Sequence, residues 1–332
     1  MTRAAVSLSN VSAGRAPRLT VVTPTFRRPA EVSKLLDNLG RQTFRDLELV
    51  LVDGAEDADV RTQEVVAARL LALSFPCRYE RYGGGTAIQR NRGVELARGR
   101  LVAFMDDDIE PETEFFRALV RVFDEDARGE IGGAVGYRTN EHFRLEDRER
   151  WLWYRRLGLL KVFEPGRYDF ESGYPINANM QPPFVGTRSV DFMTTACAMW
   201  RREVLDEVRF DPFFRDYGVL EDAHFSLRAG RRWRLVQCGD ARCVHAHSPH
   251  GRANRRRLGY KYVVNYYYVF KDVAGPLSPE QKLRFFRFQG FELLRTAASG
   301  ARRRRPEDFE DVLGRLEGLV ACALSAAPGA GP

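Results

Sequence analysis

The stretch "RLVAFMDDDIEP" (residues 100–111) joins two kinds of chemistry. Leu101 to Met105 is an apolar run that reads as a buried strand. Asp106, Asp107 and Asp108 stand where that strand ends. Three adjacent like charges repel one another, an arrangement tolerated where a cation arrives to offset it.

The sequence before this stretch alternates in a regular way. "LTVVT" (19–23) predicts a first strand; Pro29 then opens a helix with Val32, Leu35, Leu36 and Leu39 at helical spacing. "LELVLVD" (47–53) predicts a second buried strand and residues 59–73 a second helix. "CRYERY" (77–82) predicts a third strand, and "TAIQRNRGVELA" (86–97) a helix closed by Gly99. A further helix over 112–124 carries Phe115, Leu119 and Val122. Strands alternating with helices imply an α/β fold with a mostly parallel sheet covered on both faces. Ligands in such sheets bind beyond the carboxyl ends of the strands. Thr23, Pro24, Thr25, Asp53 and Asp106–Asp108 all fall at such ends, so spacing alone predicts that they gather along one rim.

Residues 141–188 break the alternation with an aromatic helix, "RERWLWYRRLGLL", and a Gly/Pro/Asn-rich loop, which reads as an insertion bordering the site. "VDFMTTACAMW" (190–200) predicts a strand, Leu220 to Leu227 a helix ending at Gly230, and "WRLVQC" (233–238) another strand. From about 254 the pattern is helical, aromatic and basic.

A chain of 332 residues allows one large domain or two small ones, and 44% hydrophobic residues predict a packed core. The net charge of +7 points to anionic partners: nucleotide phosphates, lipid head groups or nucleic acid. Five scattered cysteines, an odd number, argue against a disulfide framework. Residues 1–17 lack the apolar core of a secretory signal and are expected to be disordered. No segment is apolar and long enough to cross a bilayer, so a cytoplasmic setting is expected.

Each candidate has a functional and a structural reading. Asp106 and Asp108 form a D-x-D pair whose side chains point the same way on an extended segment, as ligands for Mg²⁺ or Mn²⁺. The structural reading is an acidic loop or helix cap before Pro111. Asp53 can accept from a ribose or base edge, or serve as the turn aspartate of "DG". "TPTFR" (23–27) can approach a nucleotide, or form an ordinary strand-to-helix turn. "YGGGTAIQRNRG" (82–93) lacks the G-x-G-x-x-G pattern; its glycines read as a turn, with Arg90 and Asn91 facing nucleotide or phosphate, or covering a helix. Glu221 and Asp222 suit a helix N-terminus or a general base. Cys238, Cys243, His245, His247 and His250 match no common zinc spacing; a single imidazole, His245, completing an oxygen-rich metal site is the better reading.

Taken in order, "LTVVTPTFRRPAEVSKLLDNLGRQTFRDLELVLVDGAED", "QRNRGVELARGRLVAFMDDDIEP" and "GVLEDAHFSLRAGRRWRLVQCGDARCVHAHS" resemble the family 2 inverting glycosyltransferases of the GT-A fold, over roughly residues 18–250. The resemblance implies a GT-A catalytic domain over 18–250, with 141–188 inserted near the acceptor side, and a helical basic and aromatic region over 251–332. It implies a hexosyltransferase-like enzyme moving a sugar from a nucleoside-diphosphate sugar to an acceptor hydroxyl. The acceptor would be a glycan, a lipid-linked sugar or a small natural product. Asp53 would contact base or ribose, with Pro24, Thr25, Phe26 and Arg27 near that pocket and Arg90 and Asn91 toward the nucleotide. Asp106, Asp108 and His245 would hold the metal, with Asp107 able to exchange roles with a neighbour. Asp222 would be the base and Glu221 its positioning partner. "TTACA" (194–198) departs from the family by lacking a glycine. The alternatives are a nucleotidyltransferase on a similar fold and a non-catalytic nucleotide-sugar binding module. The basic aromatic tail reads either as a membrane-surface region at the inner face or as helices packed against the catalytic domain with a solvated arginine face; no nucleic-acid partner is expected.

Overall fold

A computed structural model of the chain describes residues 7–11, 14–56, 58–141, 145–216, 218–248, 254–303 and 306–326. In chain order the elements are β1 (Ser7–Ser9), β2 (Leu19–Thr25), α1 (Pro29–Gly40), β3 (Leu47–Asp53), α2 (Arg61–Arg69), β4 (Cys77–Arg81), α3 (Thr86–Leu96), β5 (Leu101–Met105), β6 (Ile109–Pro111), α4 (Phe115–Asp124) and β7 (Ile131–Arg138). They continue with α5 (Leu145–Arg156), β8 (Tyr168–Asp169), β9 (Tyr174–Pro175), β10 (Thr187–Val190), β11 (Cys197–Arg201), α6 (Arg202–Glu207), α7 (Glu221–Ala229), β12 (Arg234–His245), α8 (Arg255–Ala274), α9 (Pro279–Arg303) and α10 (Pro306–Ala326).

Two units divide the chain. Met1–His142 and Ala178–Gly251 form the first; Phe143–Asn177 and Arg252–Pro332 form the second. The division differs from the boundaries drawn on the sequence, because Phe143–Asn177 folds with the C-terminal helices.

The first unit is a mixed, mostly parallel α/β sheet in the order β1-β4-β3-β2-β5-β11-β7-β12-β10. Strands β2, β3, β4 and β5 run parallel, as the alternating pattern requires. Both β2 and β3 are buried along their whole length, because helices cover both faces. Helix α1 buries Val32, Leu35, Leu36 and Leu39, the stripe set by spacing.

Four local expectations need correction. Ser7–Ser9, placed in a disordered tail, pairs antiparallel with β4 and covers a sheet edge. The single strand expected over 190–200 is two: β10 pairs with β12, and β11 lies between β5 and β7. Between them the chain leaves the sheet, and the Met193 N–H donates to Ser226 Oγ at 3.0 Å. Asp106–Asp108 form a turn, with Ile109 N–H donating to Asp106 O, not an extended segment. Helix α4 starts only at Phe115 with Glu114 as its cap residue, which removes the helix-cap reading of Asp108.

Strand β7 carried no sequence signal. Its "IGGAVGYR" is poor in branched residues because large side chains occupy the space a Cβ would take. A methyl on Gly133 would lie 2.7 Å from Trp200, and one on Gly136 2.5 Å from Phe115.

In the second unit the aromatic residues of the basic tail turn inward. Val263, Tyr267, Phe270, Phe285 and Cys322 pack together in one cluster; Tyr154, Leu159, Leu160 and Phe288 form another. These aromatic side chains pack within the helical unit itself. Phe309, Leu313, Leu316 and Val320 of α10 are exposed. Arg304 and Arg305 of the basic run lie outside the described residues. No helix among the described residues is long and apolar enough to cross a membrane.

Gly93 explains how α3 lies so close to β2: a Cβ there would sit 2.2 Å from Val22 Cγ1. Gly93→Ala should lower stability by about 1–3 kcal/mol by overpacking, despite alanine's better helix propensity. Trimming Val22 to Ala removes the clash, so the double variant should cost less than the sum of the singles in urea unfolding. Strict additivity would show that Val22 does not set the helix–sheet distance.

Candidate functional site

The rim beyond β2, β3 and β5 gathers the acidic residues, and each is held by a defined partner. The backbone at Arg27 is left-handed (φ 56°), so neighbouring arginines diverge. Arg27 faces outward to Glu56 Oε2 at 2.6 Å. Arg28, at the start of α1, faces inward: its Nη1 donates to Asp107 Oδ1 at 2.6 Å and lies 3.5 Å from Asp108 Oδ2. Thr25 Oγ1 donates to the other oxygen of Asp107 at 2.6 Å. Asp107 is nearly fully buried, and burial pushes its carboxyl up to about 7 against the pull of Arg28 and Thr25.

The turn at 106–108 sends its three carboxylates to three different partners. Asp106 remains partly open, its side chain 30% exposed, and accepts from Arg90 Nη2 at 3.0 Å. Asp108 Oδ2 accepts from the Ser248 N–H at 3.0 Å, and its Oδ1 lies 3.3 Å from His245 Nε2. Burial pushes the Asp108 carboxyl up, but the combined effect of His245, Arg28 and the Ser248 N–H holds it below the ordinary range.

The far side of the site comes from α7. Leu220, which precedes it, is also left-handed (φ 67°), a strained backbone for a leucine. That turn places Glu221 and Asp222 in the first helical turn. Arg90, only 3% exposed, donates through Nη1 to Glu221 Oε1 at 2.9 Å while holding Asp106 with its other nitrogen. Burial, then the neighbouring Glu221 charge, push Asp222 up to about 6, opposed by the Ala223 N–H and the charges of Arg90 and Arg138.

His245 closes the third side. Its Nδ1 lies 2.7 Å from Glu141 Oε1, which leaves Nε2 toward Asp108. Burial lowers the imidazole's pKa, but bonds to Asp108 and Glu141 outweigh this and raise it to about 9. His247 stacks beside it at 3.9 Å between ring centroids and reaches Glu141 at 3.2 Å. Glu141, His245 and His247 bring ligand atoms within 4.8 Å of one another. Cys238 and Cys243 take no part in this cluster, and none of the five cysteines forms a disulfide. His250 lies outside the described residues.

The donor set suits a hard divalent cation. Asp108 Oδ1 and His245 Nε2, 3.3 Å apart, match the spacing of about 3 Å between adjacent ligands of an octahedral ion with bonds of about 2.0–2.1 Å. A carboxylate on the opposite imidazole nitrogen, here Glu141, fixes the ring as metal-binding histidines require.

A cavity of about 320 Å³ opens next to this rim, lined by Phe26, Gly54, Glu56, Gly84, Gly85, Thr86 and Asp216. Gln89 ties its wall together by donating to Thr25 O and Val52 O at 2.9 and 2.7 Å. Asp53 is fully buried, accepting from the Ala55 N–H at 2.9 Å and the Tyr79 hydroxyl at 2.8 Å. Burial raises its pKa despite both bonds.

Residues 20–209 match the family described as Glycosyl transferase family 2. The chain belongs to that family. Glu221, Asp222 and His245 lie beyond the matched residues, so their place in this family 2 site rests on the geometry above. The chain is 31% identical over 97 residues to a GalNAc(5)-diNAcBac-PP-undecaprenol beta-1,3-glucosyltransferase of Campylobacter jejuni, a match covering 28% of this chain and 30% of that protein. The matched stretch thus spans under a third of that relative's length. Among solved structures, a mannosyltransferase from Pyrobaculum calidifontis in complex with GDP-Man and Mn²⁺ superposes with a TM-score of 0.54 at 18% identity, covering 94% of this chain and 87% of that one. TarS 1-349 of S. aureus in complex with UDP-GlcNAc gives 0.50 at 14% identity, covering 90% and 91%. At these identities the likeness shows the shared GT-A-like fold.

Several sequence-predicted residues have other work. Pro24 and Thr25 are buried in β2 and Arg27 turns to Glu56, so of the four residues expected near the nucleotide pocket only Phe26 lines the cavity. The Asn91 amide is spent on the backbone of Phe210, at 2.8 and 3.0 Å, and is not brought to the carboxylates. Sequence reading missed Arg28, Tyr79, Gln89, Arg138 and Glu141. Arg28 was hidden by its twin Arg27, since only the backbone turn between them separates their roles.

Arg90 carries the site's electrostatics. Arg90→Ala leaves Glu221 and Asp106 without their cation and should cost roughly 3–5 kcal/mol in urea unfolding. Arg90→Lys keeps the charge but not the two-pronged geometry, and should lie between. Equal stability of all three would show that the bridge holds nothing.

Proposed function

We propose that this family 2 protein transfers a sugar from a nucleoside-diphosphate sugar to an acceptor hydroxyl with inversion at the anomeric carbon. One observation carries the reading: Arg90 draws Asp106 and Glu221 together, with Asp222 beside them, next to a cavity beyond the strand ends. The base and ribose would enter the 320 Å³ cavity between Phe26 and Gly54; Asp53, fully buried behind it, supports the wall through Tyr79 and the Ala55 N–H. Asp106, Asp108 and His245 would hold a divalent ion, Mg²⁺ or Mn²⁺, which when bound offsets the charge on the departing diphosphate. Glu141 keeps His245 oriented toward that position.

Asp222 is the base. An acceptor alcohol has a high pKa and must lose its proton as it attacks the anomeric carbon; a carboxylate takes it in the transition state. Burial and the Glu221 charge, which push Asp222 to about 6, make it a stronger acceptor while leaving it ionised at neutral pH. Glu221, fixed by Arg90, holds the neighbouring backbone and charge in place. Attack from the side opposite the diphosphate inverts the centre, as in the base half of an inverting glycosidase. The acceptor class we favour is a lipid-linked sugar in glycolipid or polysaccharide assembly, supported by the undecaprenol in the name of the Campylobacter relative. The nucleotidyltransferase alternative has less support, because "TPTFRR" after the first core strand offers no glycine-rich phosphate loop.

Screening nucleotide sugars for nucleoside diphosphate release with Mn²⁺ or Mg²⁺ tests the reaction class directly. Asp222→Asn should lower transfer about 10²–10⁴-fold while leaving donor affinity nearly intact in calorimetry. Because the base must be ionised, wild-type kcat/KM should fall as pH drops below about 6. Loss of donor binding in Asp222→Asn, or a flat profile from pH 5 to 8, would remove Asp222 from this role. Asp108→Ala should weaken donor binding with Mn²⁺ present and change it little with the metal chelated; an unchanged titration with Mn²⁺ counts against Asp108 as a ligand.

A further inference from the structure

A second group of ligand atoms lies on the far side of the His245 imidazole, where the transfer chemistry uses no ion. Glu141 Oε1 stands 2.7 Å from His245 Nδ1 and 3.2 Å from His247 Nε2. The three side chains come from two segments laced together by hydrogen bonds. The Thr139 N–H donates to Cys243 O at 2.9 Å. One residue on, the Asn140 amide donates to His245 O at 2.8 Å, and its Oδ1 accepts from the His245 N–H at 3.1 Å. Glu141 thus meets a histidine 104 positions away, which the spacing of cysteines and histidines along the chain does not record.

The group is oriented as a ligand set requires. Arg138, 6% exposed, pairs through Nη2 with Glu141 Oε2 at 3.0 Å, so the other oxygen is the one turned to the imidazoles. The backbone at His247 is left-handed (φ 52°), and its ring stands 3.9 Å from that of His245 between centroids. Two imidazoles and one carboxylate suit a borderline ion such as Zn²⁺ better than Mg²⁺, which prefers oxygen. Zinc bonds of about 2.0–2.1 Å at tetrahedral angles set neighbouring ligand atoms about 3.3–3.4 Å apart. The Glu141–His247 pair already has that spacing, and the Glu141–His245 pair reaches it by opening roughly 0.6 Å. Three protein ligands leave a fourth position for water, and the half-exposed His247 gives the ion a way in.

We propose that Glu141, His245 and His247 form a separate zinc site, entered through His245 Nδ1. A neutral imidazole has one lone pair to give. With zinc on Nδ1, the ring proton sits on Nε2 and points to Asp108 Oδ1, 3.3 Å away. His245 is then withdrawn from the divalent ion assigned above to Asp106 and Asp108, and zinc inhibits transfer. That consequence rests on the reaction proposed above; the zinc site itself does not.

Titration of the metal-free full chain with Zn²⁺ against a chromophoric zinc indicator, with no nucleotide sugar present, should show one equivalent bound. His247→Ala and Glu141→Gln should each weaken it about tenfold or more. Asp106→Ala should bind zinc as wild type does, which separates this site from the one that serves the diphosphate. Long-range ¹H–¹⁵N spectra of the wild type should show zinc on His245 Nδ1 and the proton on Nε2. Zinc on Nε2 would overturn the proposal, as would no bound equivalent, unchanged affinity in His247→Ala or Glu141→Gln, or a tenfold loss in Asp106→Ala. In a transfer assay, Zn²⁺ should inhibit the wild type, excess Mn²⁺ should relieve it, and His247→Ala should resist it. Equal inhibition of both proteins would overturn the inhibitory role. If no transfer is found with any nucleotide sugar, the catalytic reading falls while the zinc titration still decides the site.

Discussion

A single buried guanidinium organises the rim of the sheet. Arg90, 3% exposed, holds Asp106 from the loop after β5 and Glu221 from the start of α7, side chains 131 positions apart in its longer reach. A charge that deep is tolerable only when paired with good geometry. The same pairing draws Asp222 into a crowded acidic neighbourhood, where burial and Glu221 raise its affinity for a proton. The charge environment of Asp106, Glu221 and Asp222 thus follows from one interaction.

The remaining carboxylates are balanced in the same way from other directions. Arg28 compensates Asp107, while Asp108 leans on His245, whose other nitrogen is held by Glu141. The three aspartates that repel one another along the chain are therefore separated by a turn and offset by Arg90, Arg28 and His245, with Arg28 shared between Asp107 and Asp108. Asp106 is the one left partly open, and the Asp108–His245 pair has the spacing of two ligands of one ion.

The sheet reaches this arrangement through close backbone approaches. Gly93 lets α3 settle on β2, which carries Arg90 to the rim. Glycines in β7 make room for Trp200 and Phe115, so the second half of the sheet packs around aromatic side chains. In the helical unit, by contrast, the aromatic residues of α8 and α9 form the core themselves, and the basic side chains between them lie outside it.

Much of this was legible in the sequence. Periodicity marked the parallel strands and their helices, and strand ends marked Asp53 and Asp106–Asp108 as rim residues, because burial on one face imposes a pattern on neighbours along the chain. The order of the acidic motifs pointed to Glu221, Asp222 and His245. Strand β7 escaped because its glycines record the bulk of partners distant in sequence, and a local pattern cannot encode that. Which of Arg27 and Arg28 faces the aspartates depended on one left-handed residue, and the splaying of Asp106, Asp107 and Asp108 on a turn that the D-x-D spacing did not reveal. The sequence determined which charges exist and where the strands end. Only the tertiary structure decided which charges meet, because hydrogen bonds between side chains far apart in the chain are fixed by packing and not by proximity along it.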